Sequence, residues 1–214
     1  MDMYTTMVKF FQEGGIFMYP IALVAALGAA VAIERWLHLW RTESANRRMW
    51  DEVAPFLKTG DFKRAISATS SSGSAIGQIL GYGLARVQTA KRRDDVEKAM
   101  EESMMEVVPK LEKRTHYLAS FANIATLLGL LGTIIGLIQA FQAVSNASPA
   151  ERADLLAASI SVAMNTTAFG LIVAIPLLLV HSVLQSKTTS IVDSLEMASV
   201  KFLNTVVERR PETT

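Results

Sequence analysis

The chain has 214 residues, 50% of them hydrophobic and 19% charged, with a net charge of +1 and no cysteine. Disulfides, thiolate metal sites and cysteine nucleophiles are therefore excluded, and the bulk charge gives no reason to expect a nucleic-acid partner. A mean hydropathy of +0.29 is too apolar for an ordinary soluble domain of this size. The apolar residues come in blocks, with no Asp, Glu, Lys or Arg in residues 14–33, 115–150 or 155–186. A membrane span needs about 20 residues, so the first block just suffices and the other two should project beyond the hydrocarbon.

Residues 1–14 set Met3, Met7, Val8, Phe10 and Phe11 in a polar background. This fits a short interfacial helix on the outer membrane boundary; a disordered terminus is the alternative. Residues 15–40 are the first predicted span. A cleaved signal peptide is the competing reading, but the preceding segment holds Asp2 and Glu13 against one Lys9. The apolar run ends in Glu34-Arg35-Trp36, with Trp40-Arg41 after it, which reads as an interfacial anchor. Ala22, Ala25, Ala26, Ala29 and Ala30 offer small faces for packing.

Residues 41–118 have helical patterning and form the predicted cytoplasmic helical domain. Gly60 ends one helix, and Asp61 caps the next. The SSSGS run at 70–74 is a loop. Gly77, Gly81 and Gly83 on the following helix suggest close helix contact. From Asp94, Val96, Met100, Met104, Val107, Val108 and Leu111 recur at helical spacing. The pattern predicts one helix over 94–144, kinked at Pro109. Its apolar part, 119–144, is the second span.

Residues 145–153 form a short outer loop, and residues 154–186 the third span, with Pro176 inside it. Residues 187–214 continue as an amphipathic cytoplasmic helix and tail, with Ile191, Leu195, Ala198, Phe202 and Val206 on one side. Of the 21 Lys and Arg, only Lys9 and Arg152 fall before the first span or between the last two. The positive-inside rule then places the N-terminus outside and the C-terminus in the cytoplasm. The fold class expected is an all-α integral membrane protein with three transmembrane helices, two of them extended into a cytoplasmic helical domain.

The second span carries Gly129, Gly132, Thr133, Gly136 and Ala140 on one helical face. Small residues let backbones approach in lipid. The third span holds Ser159, Ser161, Asn165, Thr166 and Thr167. Ser159, Ala163, Thr166, Thr167, Gly170 and Ala174 share a face; Ser161 and Asn165 lie on another. Intramembrane polar residues face a bundle interior or a water path, or they serve as interhelical glue worth about 0.6 kcal/mol per hydrogen bond. Apart from Asp154 at the start of the third, neither span has a carboxylate, Lys or Arg, so a titratable group for ion passage must come from elsewhere. His38, His116 and His181 read as boundary histidines without metal-ligand spacing. No phosphate loop, catalytic triad or paired carboxylates are present, and no enzymatic activity is expected.

Three blocks resemble the ExbB/TolQ/MotA proton-channel family, closest to ExbB and TolQ. MYPIALVAALGAAVAIERWLHL (18–39) is similar to its first span ending in Glu-Arg. LLGLLGTIIGLIQAF (127–141) resembles its Gly-Leu-x-Gly-Thr-x-x-Gly second span, and NTTAFGLIVAIP (165–176) its third. The resemblance implies a multi-pass protein of the bacterial inner membrane that forms a homo-pentamer. Such a pentamer surrounds an ExbD/TolR-like single-span partner whose membrane Asp carries the ion, with a TonB/TolA-like envelope protein as a further partner. It implies no bound cofactor, only transported H+ or Na+, and an ion-motive-force-driven motor for envelope transport, envelope maintenance or motility. By motif match Thr133 and Thr167 are pore-facing, with Thr166, Asn165 and Ser159 beside them on the ion path. Gly129, Gly132, Gly136, Gly170 and Pro176 are the helix-packing positions. Val162 stands where ExbB and TolQ usually carry a Glu, which bears on ion and subfamily alike. A passive membrane scaffold that uses the Gly faces only for packing is the other function class.

Overall fold

A computed structural model describes residues 10–11, 14–87, 89 and 92–208. The described residues form helices and connecting turns, without a strand. The helices are α1 (Met18–Thr59), α2 (Phe62–Ser70), α3 (Ala75–Val87), α4 (Arg93–Glu112), α5 (His116–Asn146) and α6 (Arg152–Glu208). Among the described residues three stretches are long and apolar enough to cross a membrane: Met18–Thr59, Arg93–Asn146 and Arg152–Val206. Most of the interfacial helix expected at residues 1–14 lies outside the described residues. Phe10 and Phe11 are helical, and both rings meet Phe169 edge-on.

The chain divides into two compact units. The first comprises residues 1–34 and 114–183, which hold the start of α1, all of α5 and α6 as far as Val183. Where α5 and α6 face each other its interior is built from small side chains: Ala122, Ala125, Gly129, Gly132 and Ala140 of α5 are buried, as are Ala163, Gly170 and Ala174 of α6. Met18, Ile21 and Leu118 are large apolar residues buried in the same unit, while others point outward, among them Leu127, Leu130, Ile134, Ile138 and Phe141 along one face of α5. So much exposed apolar surface belongs in lipid or against other chains. On α1, Ala26, Ala29 and Ala30 are exposed, and Gly28 is the small residue that packs. A Cβ there would come within 2.9 Å of Leu177 side-chain atoms.

The second unit comprises residues 35–113 and 184–214. Here the core is of large apolar side chains: Leu39, Val53, Ile79, Leu80, Leu84, Met100, Leu184, Leu195 and Phe202 are 2% exposed or less. Burying each such side chain contributes about 1.5–3 kcal/mol. The expected face of Ile191, Leu195, Ala198, Phe202 and Val206 is buried throughout. α1 ends as anticipated at Gly60, which has φ +78°. The Asp61 N–H donates to the Phe56 carbonyl (2.9 Å) and the Gly60 N–H to that of Leu57 (3.2 Å), a Schellman pattern. Asp61 then accepts from the Arg64 N–H at 3.2 Å, capping α2. Ser74 caps α3 by accepting from the Gly77 N–H at 3.1 Å.

Two expectations need correction. The helix expected over 94–144 is two helices, and the break lies after Pro109, at residues 113–115. Lys113 leaves helical geometry at ψ 135°, and Arg114 has φ +71°. A left-handed arginine costs roughly 1–2 kcal/mol. Local bonds offset it: the Lys113 N–H donates to the Pro109 carbonyl (3.0 Å), and the Tyr117 N–H to that of Arg114 (3.1 Å). Arg114 also pairs with Glu34 at 3.7 Å. The second correction concerns Arg35, expected as an interfacial anchor but only 3% exposed. Its guanidinium donates to the Leu111 carbonyl near the end of α4. The break leaves that carbonyl without its helical partner, and a cation at a helix C-terminus is favourable.

Candidate functional site

The site is built in the first unit where α5 and α6 approach through their small residues. A Cβ on Gly170 would lie 2.7 Å from the Ala125 carbonyl oxygen and 3.1 Å from the Gly129 Cα. A Cβ on Gly129 would lie 3.2 Å from the Thr167 Cα, and one on Gly136 2.9 Å from the Ala163 Cβ. The backbones are thus nearly in contact along the seam, which only glycine permits. Gly132 faces Thr166 and Phe17. The Gly face of α5 is therefore occupied within the chain itself.

That close approach brings two hydroxyls together. Thr133 Oγ1 sits one turn past Gly129 on α5 and reaches the Gly129 carbonyl at 3.1 Å. Thr167 Oγ1 crosses from α6 to the same carbonyl at 3.0 Å. The two hydroxyls also hydrogen-bond each other, and the Ala163 carbonyl lies 3.5 Å from Thr133 Oγ1. Four oxygens, two of them carbonyl, thus share two protons. Either hydroxyl can donate to the Gly129 carbonyl while the other donates to its neighbour; both arrangements leave a lone pair for an incoming group, and a donor becomes free when one hydroxyl turns out of an internal bond. Both threonines are half-buried rather than sealed.

Thr166 differs. It is 2% exposed, and its hydroxyl lies 2.6 Å from the Gly14 carbonyl and 3.0 Å from that of Val162. Within this chain it ties the segment before α1 to α6. Asn165 and Ser159 are half-buried, and Ser161 is exposed. Val162 is 36% exposed and lies beside Gly15, whose Cβ would be 3.3 Å from its Cγ1. Pro176 sits on the exposed side of α6, inside a helix that continues past it. The structure brings Thr133, Thr167 and Gly129 together, with Gly170 beside them, and leaves Ser159 outside the hydrogen-bonded cluster. The Thr166–Gly14 bond was hidden in the sequence, because a residue 152 positions away supplies its acceptor.

Electrostatically the seam is bare. Within α5, and in α6 from Leu155 to Ser186, there is no Asp, Glu, Lys or Arg. Among the described residues no group of three or more His, Asp or Glu could hold a metal ion. The hydroxyl cluster can hydrate or hydrogen-bond a charge supplied from outside the chain; no Asp, Glu, Lys, Arg or His belongs to it.

The family model described as MotA/TolQ/ExbB proton channel family matches residues 71–197. A Methanothermobacter thermautotrophicus protein named as a homolog of the biopolymer transport protein ExbB is 27% identical over 199 residues, covering 92% of this chain and 69% of that protein. The Tol-Pal system protein TolQ of Haemophilus influenzae is 34% identical over 94 residues, 44% of this chain and 41% of TolQ.

Proposed function

The chain belongs to the MotA/TolQ/ExbB proton channel family, and from that premise we propose that it is the multi-pass subunit of an ion-driven motor of the ExbB/TolQ type. In this reading five copies surround an ExbD/TolR-like single-span partner in the bacterial inner membrane, with the N-terminus periplasmic and the C-terminus cytoplasmic. The partner's membrane Asp binds and releases H+ or Na+. The work done is envelope transport, envelope maintenance or motility, with a TonB/TolA-like protein downstream.

One observation carries the reading: the Thr133 and Thr167 hydroxyls converge on the Gly129 carbonyl within stretches, residues 115–150 and 155–186, that contain no Asp, Glu, Lys or Arg. A carboxylate entering low dielectric needs donors when ionised and acceptors when protonated. Two hydroxyls sharing an acceptor can supply both. Thr133, Thr167, Asn165 and Ser159 would line the path, with Thr166 fixed behind them.

A passive scaffold remains a second reading. It is favoured by the Gly seam, which is already filled within one chain. The two are separated by expressing the chain with a one-span, Asp-bearing protein of the ExbD/TolR type. A motor subunit isolates with that protein, five copies to a complex by native mass. In liposomes the complex passes protons or sodium, and Asp→Asn in the partner abolishes the flux. A chain that isolates alone and leaves liposomes tight is a scaffold.

A further inference from the structure

The second unit contains a cavity of about 290 Å³ between α1, the start of α3 and α6. Its wall includes Asn46, Arg47 and Trp50 of α1 and Ser190, Ser194 and Lys201 of α6. Three features give it a chemical preference. First, Asn46 is 5% exposed, and its Oδ1 accepts from the Ile76 N–H at 3.2 Å, while its buried Nδ2 has no acceptor among the described residues. A buried amide donor left unpaired is costly, so a small side-chain shift that opened it to a ligand oxygen in the cavity would be favourable. Second, the acid on the wall, Glu43, is paired with Lys187. Arg47 and Lys201 are in none of the ion pairs among the described residues. The remaining charge of the wall is positive. Third, Trp50 and Met197 supply an apolar side.

We propose that this cavity binds a phosphate-bearing ligand with an aromatic or apolar body. The phosphate sits between Arg47 and Lys201, a ligand oxygen accepts from Asn46 Nδ2, and the body lies against Trp50 and Met197. Guanidinium and ammonium groups hold phosphate through short charge-assisted bonds, and the indole offers a stacking face. Two sources carry this chemistry. One is a soluble nucleotide, which the cavity volume suits. The other is an anionic phospholipid. Trp36 and Trp40, 56% and 61% exposed, lie on the same face of α1 as Arg47 and Trp50, at helical spacing. Trp40 and Arg47 are about 10 Å apart along the axis, so acyl chains along the tryptophans would leave a headgroup within reach of the cavity.

This inference goes beyond the motor reading and is tested without ion flux. The full chain, in phosphatidylcholine nanodiscs and with Trp36→Phe and Trp40→Phe, retains Trp50 as its one indole. It is titrated with AMP, and separately compared in nanodiscs of rising phosphatidylglycerol content. A saturable change in Trp50 fluorescence is expected with one probe. AMP identifies a soluble source and phosphatidylglycerol a membrane source. Arg47→Gln and Lys201→Gln, both at exposed positions, should each weaken binding about tenfold without changing helicity. Asn46→Asp keeps the acceptor for Ile76 but places an anion beside the ligand, and should weaken it at least as much. The absence of a saturable response to either probe overturns the proposal, as does a response unchanged by both Gln substitutions.

Discussion

One helix, α6, is packed by two different chemistries. In the first unit it presents Ala163, Thr166, Thr167 and Gly170, and the facing helix answers with glycines. In the second unit it presents Ile191, Leu195 and Phe202, all 2% exposed or less, within a core of leucines, methionine and valines. The contrast follows from the solvent that each surface would otherwise meet. Where the alternative is water, large apolar side chains gain most by being buried. Where the alternative is lipid, that gain vanishes, and close backbone approach with interhelical hydrogen bonds takes its place. The hydroxyl pair is a product of the second regime, since only a glycine-thin seam lets Thr167 reach the Gly129 carbonyl.

The contrast predicts opposite sensitivities to added and removed methyl groups. The largest effect is expected for Phe202→Ala. Phe202 is 0% exposed, and its ring packs so closely on α3 that a Cβ at Gly83 would lie 2.9 Å from it. Its truncation should cost about 3–5 kcal/mol, read as a lower unfolding midpoint in detergent. Gly170→Ala should come next, at about 1–3 kcal/mol. Its single added methyl meets backbone, the Ala125 carbonyl oxygen, which cannot swing aside. Leu130→Ala is the matching control. Leu130 is 52% exposed, so the monomer fold should change by less than about 0.5 kcal/mol. If Gly170→Ala proves as mild as Leu130→Ala, the seam is looser than described and the comparison fails.

Much of this architecture could be read directly from residue patterns. Charge-free blocks located three membrane-spanning stretches, and helical periodicity identified the face of α6 that is buried in the second unit. Gly60-Asp61 was legible as a helix stop and start because a left-handed residue and an N-cap have strong local preferences. The break at residues 113–115 was not. Pro109 drew the expectation, while the residue that turns is an arginine, which has no local preference for φ +71°. Arg35 was misjudged for a related reason: its acceptor, the Leu111 carbonyl, exists only because α4 ends there. In the candidate site, the glycines and threonines were identifiable by type and spacing. The Thr166–Gly14 bond was not, since it depends on where the segment preceding α1 runs.

The central claim is that Thr133 and Thr167 act on an ion carrier rather than only on each other. The most direct measurement is ion-coupled activity of the co-expressed complex bearing Thr133→Val and Thr167→Val, with complex recovery measured in parallel. Valine keeps the shape and removes the hydroxyl, and each lost interhelical bond should cost only about 0.6 kcal/mol, so assembly should survive. Thr126→Val is the reference. Its hydroxyl bonds the Ala122 carbonyl of its own helix at 3.1 Å, and its loss should matter less. The account predicts normal recovery of the double variant with activity reduced at least tenfold. Full activity in that variant would contradict it and leave both threonines as packing residues.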